Sequence, residues 1–150
     1  MIDGRHGLFV YNHHDQYIGL ALELYGEYSE HEFMLFKQLL SPSDHMIEVG
    51  ANIGTHTVPL GKYLSSGMVH AFEPQHVIFQ NLSANLSINS LENVLAWPYA
   101  LGSESGSIIV PNVDYGKSGN FGGISLQSEG EGFHVNLITL DSYAYDFPVA

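Results

Sequence analysis

The feature that most constrains this sequence is a set of three short apolar segments that alternate with segments of helical period. The apolar segments are His45–Val49, Met68–Phe72 and Val94–Trp97. Between them, residues 55–64 and 76–89 favour helices, and the second helix would carry Ile78, Leu82 and Leu86 on one face. Strands and helices that alternate in this way form parallel sheets through right-handed crossovers. We therefore predict an α/β fold built on part of a doubly wound, mostly parallel sheet.

The length of the chain predicts a single domain. With 150 residues, 45% of them hydrophobic, the chain is large enough to bury a core. We divide it into an N-terminal β/α extension, residues 1–43, and an α/β domain, residues 44–150. In the later part, residues 107–110 and 133–138 are typical of strands. Residues 116–132, rich in Gly, Ser and Asn, predict a long loop or irregular hairpin between these strands.

The N-terminal extension is predicted to contain two strands and a helix. Residues 8–11 and 17–25 are rich in aromatic and branched side chains, which favours strands, although the second segment is also compatible with a helix. Ser29, followed three residues later by Glu32, has the pattern of a capping box at a helix N-terminus. The helix would extend to about residue 40. Its predicted buried face consists of Phe33, Phe36, Leu39 and Leu40.

Charge and composition exclude several classes of partner and site. The formal net charge is −12, and the four basic residues are predicted to be too scattered to form a patch. Nucleic-acid backbones and anionic membranes both require clustered positive charge, so we expect neither as a partner. The absence of cysteine excludes disulfides, Cys-ligated zinc and thiol nucleophiles. We see neither a signal peptide nor an apolar stretch of about 18 residues, and we expect a cytoplasmic protein.

A glycine-containing turn follows the first predicted strand. Gly50 and Gly54 remove side chains where backbone must approach a ligand, and the next helix begins with free N–H groups that suit an anionic or nucleotide ligand. Glu73 ends the following strand, where a carboxylate can accept both hydroxyls of a ribose. The dinucleotide pattern G-x-G-x-x-G is not met, because Asn52 and Thr55 occupy the positions of its later glycines.

These residues resemble a known family. The segment IEVGANIG, residues 47–54, resembles the first motif of class I S-adenosylmethionine-dependent methyltransferases, and Asn in place of the middle glycine is similar to the FkbM-type subgroup. Other signatures of that subgroup follow in order, and the resemblance covers residues 44–141. They are Ala71-Phe72-Glu73-Pro74, Asn85 with Asn89, Ala100-Leu101-Gly102, and Thr139-Leu140-Asp141. The resemblance implies a Rossmann-like class I methyltransferase fold and S-adenosylmethionine as the cofactor.

The resemblance also implies which residues hold the cofactor. Glu48 and the turn, that is Gly50, Ala51, Asn52 and Gly54, would lie under the methionine part of the cofactor. Glu73 would bind the ribose, and Pro74 and Gln75 would lie near the adenine. Ala100 and Leu101 would border the adenine pocket. The implied reaction is O-methylation of a sugar, a glycan or another small metabolite. Two alternatives stay open: a non-catalytic nucleotide-binding half-domain and an NAD-dependent oxidoreductase, which the glycine spacing disfavours.

One departure from the family concerns the end of the sequence. In the family, the Thr-Leu-Asp element leads into a further central strand. Here the sequence ends at residues 147–150, where that fourth strand would begin. We therefore expect a fold that is truncated after the third core strand. The first core strand, His45–Val49, would then have an unpaired edge.

Four further features have alternative interpretations. His56 is a candidate base for a hydroxyl acceptor, but we favour a helix-start histidine whose ring lies in solvent. Tyr28 and Glu32 are candidates for an element that closes over the cofactor. His13 and His14 are adjacent and have no third ligand at suitable spacing, so we expect no metal. The remaining polar residues of the family signatures are expected to be helix-surface groups or the start of a turn or helix: Asn85, Asn89 and Asp141. The catalytic residues stay unassigned.

Overall fold

The computed structural model describes residues 1–144, and the predicted fourth core strand lies outside these residues. The described part contains eight strands and five helices in chain order. They are β1 (Ile2–Gly4), β2 (Gly7–Phe9), α1 (Ile18–Tyr25), α2 (Glu30–Leu39), β3 (His45–Val49), α3 (Thr57–Tyr63), β4 (Met68–Phe72), α4 (His76–Ile88), β5 (Val94–Trp97), β6 (Ala100–Leu101), β7 (Gly106–Pro111), β8 (Gly132–Ile138) and α5 (Leu140–Ala144). Phe121–Gly123 adds a 3-10 turn.

The central sheet confirms the predicted α/β fold. Its three strands lie in the order β3-β4-β5, and both neighbouring pairs are parallel. The bounds of the three strands are those predicted, and α3 and α4 supply the crossovers. Among residues 1–144, β3 pairs only with β4, and the expected unpaired edge of β3 stays a prediction because the fourth strand lies outside these residues. The three strands thus form one half of a Rossmann-like doubly wound sheet.

Helix α4 packs on this sheet through the predicted apolar face. Ile78, Leu82 and Leu86 are all buried in the core. Leu82 is fully buried, so its truncation to Ala would cost roughly 2–5 kcal/mol of stability. The same core takes Phe9 and Leu22 from the N-terminal segment. Residues on both sides of position 43 therefore stabilise one hydrophobic core.

Three predictions for the N-terminal segment are corrected by the structure. Residues 18–25 form a helix instead of a strand, because Ile18 and Leu22, four residues apart, both pack into the core. The capping box is also wrong, since the Ser29 side chain makes no capping hydrogen bond. Ser29 has a φ of 53°, and the carboxylate of Glu27 instead accepts a hydrogen bond from the Glu30 N–H at 3.0 Å. Leu39, predicted to be buried, is 71% exposed because it lies on the solvent side of α2.

A second, smaller sheet lies in the later part of the chain. Its strand order is β6-β8-β7, with β6 parallel and β7 antiparallel to β8. The predicted long loop joins β7 to β8, and Gly119 in this loop pairs with Asp15 of the N-terminal segment. This contact between distant parts of the chain brings the loop next to the carboxyl ends of the central strands. No helix in residues 1–144 has the length and apolar character needed to cross a membrane.

Candidate functional site

The glycine-containing turn joins β3 to α3 at the carboxyl edge of the central sheet. The backbone N–H groups of Gly50 and Ala51 both donate to the carbonyl of Phe72, at 2.8 and 3.0 Å, which ties the turn to the end of β4. Gly50 has a φ of 78°, and a Cβ atom added there would meet nothing within 4 Å. The turn therefore presents its backbone at Gly50 to open space, as a ligand-binding turn requires.

Gly54 packs against helix α4. Its φ is 90°, and an added Cβ atom would lie 2.9 Å from Cδ1 of Leu82. Gly54 lines neither of the cavities beside the turn. The absence of a side chain thus allows the turn to pack against α4, and the approach of a ligand to this glycine stays a prediction.

Two cavities flank the turn and share part of its wall. The first, here called the Glu73 cavity, has a volume of about 210 Å³. The second, the Glu48 cavity, has a volume of about 280 Å³. Both are bordered by Gly50, Asn52 and Gly122, so they adjoin across the turn. Each is smaller than the roughly 300–1,000 Å³ of a usual small-molecule site, whereas together they fall within that range.

The Glu73 cavity brings together most of the predicted cofactor residues. They are Gly50, Asn52, Glu73, Pro74, Gln75, Ala100 and Leu101. The Glu73 side chain is only 3% exposed. One of its carboxylate oxygens accepts a hydrogen bond from the Asn52 N–H at 3.0 Å, and the other accepts one from the Gln75 N–H at 2.8 Å. Burial raises the pKa of Glu73, although these two hydrogen bonds oppose the shift.

The Glu48 cavity contains the other predicted cofactor residues, Glu48 and Ala51. The hydroxyl of Thr57 donates a hydrogen bond to the Glu48 carboxylate at 2.7 Å. Burial raises the pKa of Glu48 to about 7, and the bond from Thr57 only partly opposes this shift. A carboxyl group with a pKa near neutrality, facing a cavity, is poised to ionise when a cation arrives.

His56 lies in the Glu48 cavity and not in solvent, so the favoured interpretation of this residue is wrong. Only 18% of its side chain is exposed, and its Nε2 lies 3.4 Å from a carboxylate oxygen of Glu32. Its ring lies between Tyr28 and Phe36, with ring centroids at 6.2 and 6.0 Å. Tyr28 also borders the cavity. Tyr28, in the segment before α2, therefore forms part of one side of the cavity, and α2 packs against His56.

Asn85 and Asn89 are structural clamps, which corrects the prediction of surface polarity. Asn85 is fully buried, and its amide bonds both the N–H and the carbonyl of Val10, at 2.6 and 3.0 Å. The same amide donates to the Ile53 carbonyl at 2.7 Å, which supports the glycine turn from below. Asn89 bonds the backbone of Leu8 in the same two-sided manner. The two side chains thus fasten the N-terminal segment to α4.

The long loop between β7 and β8 supplies walls that the sequence did not predict. Gly122, Ile124 and Leu126 border the Glu73 cavity, together with Tyr99, and Asn120 borders the Glu48 cavity. Gln75 anchors the loop, because its amide donates to the Phe121 carbonyl at 2.9 Å. In the sequence, the only local sign of this anchor is Phe121, an aromatic residue between an asparagine and two glycines. In the structure, Phe121 is only 2% exposed.

Two other predicted features lie outside the cleft. The rings of His13 and His14 are in contact, with centroids 3.9 Å apart and planes tilted by 41°, and residues 1–144 contain no group of three side chains arranged to hold a metal ion. Asp141 lies in the first turn of α5, as one of its interpretations expected. The cleft that the two cavities form is thus built from the glycine turn, the strand ends and the long loop.

Comparisons with known proteins give likenesses only at the level of structure. No protein family and no curated protein match the sequence. Among solved structures, M. jannaschii TYW2 in complex with AdoMet has a TM-score of 0.42 and 20% identity, over 51% of this chain and 41% of that chain. P. horikoshii TYW2 in complex with MeSAdo has a TM-score of 0.41 and 18% identity, over 49% of this chain and 33% of that chain. The chain spans less than half the length of these structures, and the functional proposal rests on the cleft itself.

Proposed function

We propose that the chain is the cofactor-binding part of an FkbM-type methyltransferase that uses S-adenosylmethionine to methylate an oxygen of a sugar or other small metabolite. One observation carries the proposal. Glu48 and Glu73 lie in adjoining cavities on opposite sides of a glycine turn, at the carboxyl ends of neighbouring parallel strands. This edge of a parallel sheet is where α/β proteins bind nucleotide ligands.

The Glu73 cavity fits the adenosine half of the cofactor. Each carboxylate oxygen of Glu73 accepts one backbone N–H and so keeps a lone pair for a ribose hydroxyl. Gly50 leaves open space where any other residue would place a Cβ atom. Pro74 and Leu101 offer apolar surface in the same cavity, which suits the faces of an adenine ring. The side chains present are thus compatible with an adenosine.

The Glu48 cavity fits the other half, whose amino group carries a positive charge. An ammonium beside Glu48 would favour the ionised carboxylate and lower a pKa that burial holds at about 7. When bound, S-adenosylmethionine supplies an electrophilic methyl group for in-line displacement by an oxygen nucleophile. The protein's contribution is to hold the acceptor oxygen in line and at contact distance.

We further propose that His56 accepts the proton of the acceptor hydroxyl. His56 borders the Glu48 cavity, where a histidine can serve as a general base, and its Nε2 lies 3.4 Å from a carboxylate oxygen of Glu32. A His56→Gln variant should bind the cofactor normally and lose methyl transfer. If transfer persists unchanged, His56 is not the base.

The proposed activity is tested by methyl transfer from isotopically labelled cofactor to a panel of sugars and small hydroxylated metabolites. We expect the label to appear in a member of the panel. The proposed acceptor is a small molecule or a glycan, and the proposed location of the reaction is the cytoplasm. Saturable cofactor binding without transfer to any acceptor would favour the alternative of a non-catalytic binding module. The second alternative is an NAD-dependent oxidoreductase. It is disfavoured because this chain lacks the glycine pattern of a dinucleotide site, with Asn52 and Thr55 at the positions of the later glycines.

A further inference from the structure

A groove on the side of the molecule formed by the N-terminal hairpin contains most of the chain's cations. It has a volume of about 580 Å³ and is bordered by Arg5, Lys37 and Lys62. The chain contains only four Lys and Arg residues against sixteen Asp and Glu, and three of these four basic residues border this one groove. The prediction that these basic residues are too scattered to form a patch is therefore wrong for all except Lys117.

Three separate elements bring the cations together. Arg5 and His6 form the two-residue tip of the hairpin β1-β2, whose last pair is Gly4 with Gly7. Lys37 lies on α2, and Lys62 lies on α3. Because these elements meet only in the folded chain, the spacing of the basic residues in the sequence gives no sign of the groove.

Lys62 is held in position and still has donor capacity. Its ammonium donates to the carbonyl of His6 and to the side-chain oxygen of Asn89. An ammonium has three N–H donors, so one is left for a ligand. A Cβ atom at residue 7 would lie 2.6 Å from the Lys62 nitrogen, so the glycine at this position makes room for the cation.

Lys37 and Arg5 are more exposed and less committed. The Lys37 nitrogen lies 5.6 and 5.5 Å from the ring centroids of Phe33 and Tyr63, and no carboxylate of residues 1–144 lies within ion-pair distance of it. Arg5 is 57% exposed, and only its Nε approaches a carboxylate, at 3.8 Å from Glu30. The same carboxylate of Glu30 forms a hydrogen bond with Nε2 of His6, at 2.6 Å.

We propose that this groove binds the phosphate group of a small soluble ligand. Two lysine ammonium groups and one guanidinium with free N–H donors match the oxygens of a phosphate, and charge-assisted hydrogen bonds of this kind are the strong ones. Asp3 also borders the groove, and Glu30 lies beside it, so the excess of positive charge is small and local. A net charge of −12 opposes a long polyanion, which favours a compact anion over a nucleic acid. The groove shares no residue with the Glu73 and Glu48 cavities.

The test is a titration of the chain with pyrophosphate at constant ionic strength, followed by calorimetry or NMR. We expect saturable binding that Lys37→Gln and Arg5→Gln each weaken by about tenfold or more, as the loss of one charge-assisted hydrogen bond implies. Lys117→Gln is the matched control, because Lys117 does not border the groove. Its ammonium nitrogen instead lies 2.9 Å from a carboxylate oxygen of Asp114. The control variant should bind pyrophosphate as the wild type does.

Three results would overturn the proposal. They are the absence of saturable binding, an equal loss in the Lys117 variant, and preferential binding of a single-stranded oligonucleotide or of phosphatidic acid vesicles over pyrophosphate. Thermal melts show whether each variant folds. If Lys37→Gln unfolds through lost packing on its aromatic neighbours, the exposed Arg5→Gln variant still decides the matter. Binding of S-adenosylmethionine should be unchanged in both variants, which separates this site from the proposed cofactor cleft.

Discussion

The two cavities beside the glycine turn are built around the same kind of side chain but hold it differently. Both carboxylate oxygens of Glu73 accept backbone N–H groups, and one of these donors is Asn52 of the turn itself. Glu48 accepts a single side-chain hydrogen bond, from Thr57, and burial raises its pKa to about 7. Burial raises the pKa of both carboxyl groups, but Glu73 is held by two backbone donors and also shapes the turn, whereas Glu48, with a pKa of about 7, can change its charge with its surroundings.

This difference assigns different parts of a ligand to the two sides. A fixed, desolvated acceptor suits neutral hydroxyl groups, which need geometry more than charge. A carboxyl group that titrates near neutrality suits a cation, whose arrival favours ionisation. A substitution at Gly50 should affect both sides, because this residue borders both cavities, whereas a substitution at Glu73 or Glu48 should affect mainly one side.

The largest effect is expected at Gly50, which borders both cavities. Gly50→Val would place a branched side chain in the open space of the cleft, and at a φ of 78° the variant would also strain the backbone. We expect no detectable binding of S-adenosylmethionine in a calorimetric titration, with helix content almost unchanged by circular dichroism. Gly106→Val is the control, because a Cβ atom added at Gly106 also meets nothing within 4 Å and Gly106 borders neither cavity. Unchanged affinity at Gly50 would show that the turn is only structural.

The next effect is expected on the Glu73 side. A hydrogen bond to a charged group contributes roughly 1.5–3 kcal/mol, so the loss of two in Glu73→Ala should weaken cofactor binding by at least about a hundredfold. Part of this loss would come from the turn, which also loses its anchor at the Asn52 N–H. Glu92→Ala, at an exposed glutamate, should leave binding unchanged. A loss of less than about fivefold at Glu73 would contradict its assignment to the ribose.

A smaller effect with a distinct pH dependence is expected on the Glu48 side. Without a ligand, the carboxyl group of Glu48 has a pKa of about 7, and a bound ammonium would lower that pKa. Ligand binding then releases a proton near neutrality, so affinity should rise with pH through about pH 7 and fall below it. Glu48→Gln keeps an acceptor for Thr57, should weaken binding about tenfold above neutrality, and should remove this pH dependence. Calorimetry in buffers of different ionisation enthalpy measures the released proton, and an identical pH profile in the variant would refute the assignment.

The smallest effect is expected at the loop that covers the Glu73 cavity. The Tyr115 hydroxyl donates to the Gln75 side chain at 3.1 Å, and Gln75 in turn holds the Phe121 carbonyl. Tyr115→Phe removes one neutral hydrogen bond, worth about 1 kcal/mol, so cofactor affinity should fall about fivefold or less. Hydrogen exchange in the loop should become faster. Unchanged exchange would show that this bond does not hold the loop.

The parts of the fold that the sequence predicts are those that local patterns specify. The bounds of β3, β4 and β5 follow from short apolar runs between turns, and the face of α4 follows from the spacing of Ile78, Leu82 and Leu86. Residues 17–25 fit two patterns, and only the core contacts of Ile18 and Leu22 decide for a helix. The predicted cofactor residues lie together because the turn and Glu73 both follow strand ends, which a sequence can locate.

The parts that were missed depend on contacts between distant segments. Asn85 has the polarity of a surface residue, and only the backbone of Val10, 75 positions earlier, makes it a buried clamp. The cavity walls at Gly122 and Ile124 depend on the amide of Gln75, which reaches the loop 46 positions later. His56 lies out of solvent because α2 packs over it, with Glu32 on one side and Phe36 on another.

The assignment of the two cavities to S-adenosylmethionine is tested by calorimetric titration of the wild-type chain with this cofactor and, in parallel, with NAD. We expect saturable one-site binding of S-adenosylmethionine and no measurable binding of NAD. Both ligands contain an adenosine, so the difference between them lies on the Glu48 side, where the carboxylate favours the ammonium of S-adenosylmethionine over the second nucleotide of NAD. Binding of NAD that is equal to or tighter than that of S-adenosylmethionine, or binding of neither ligand, would refute this assignment.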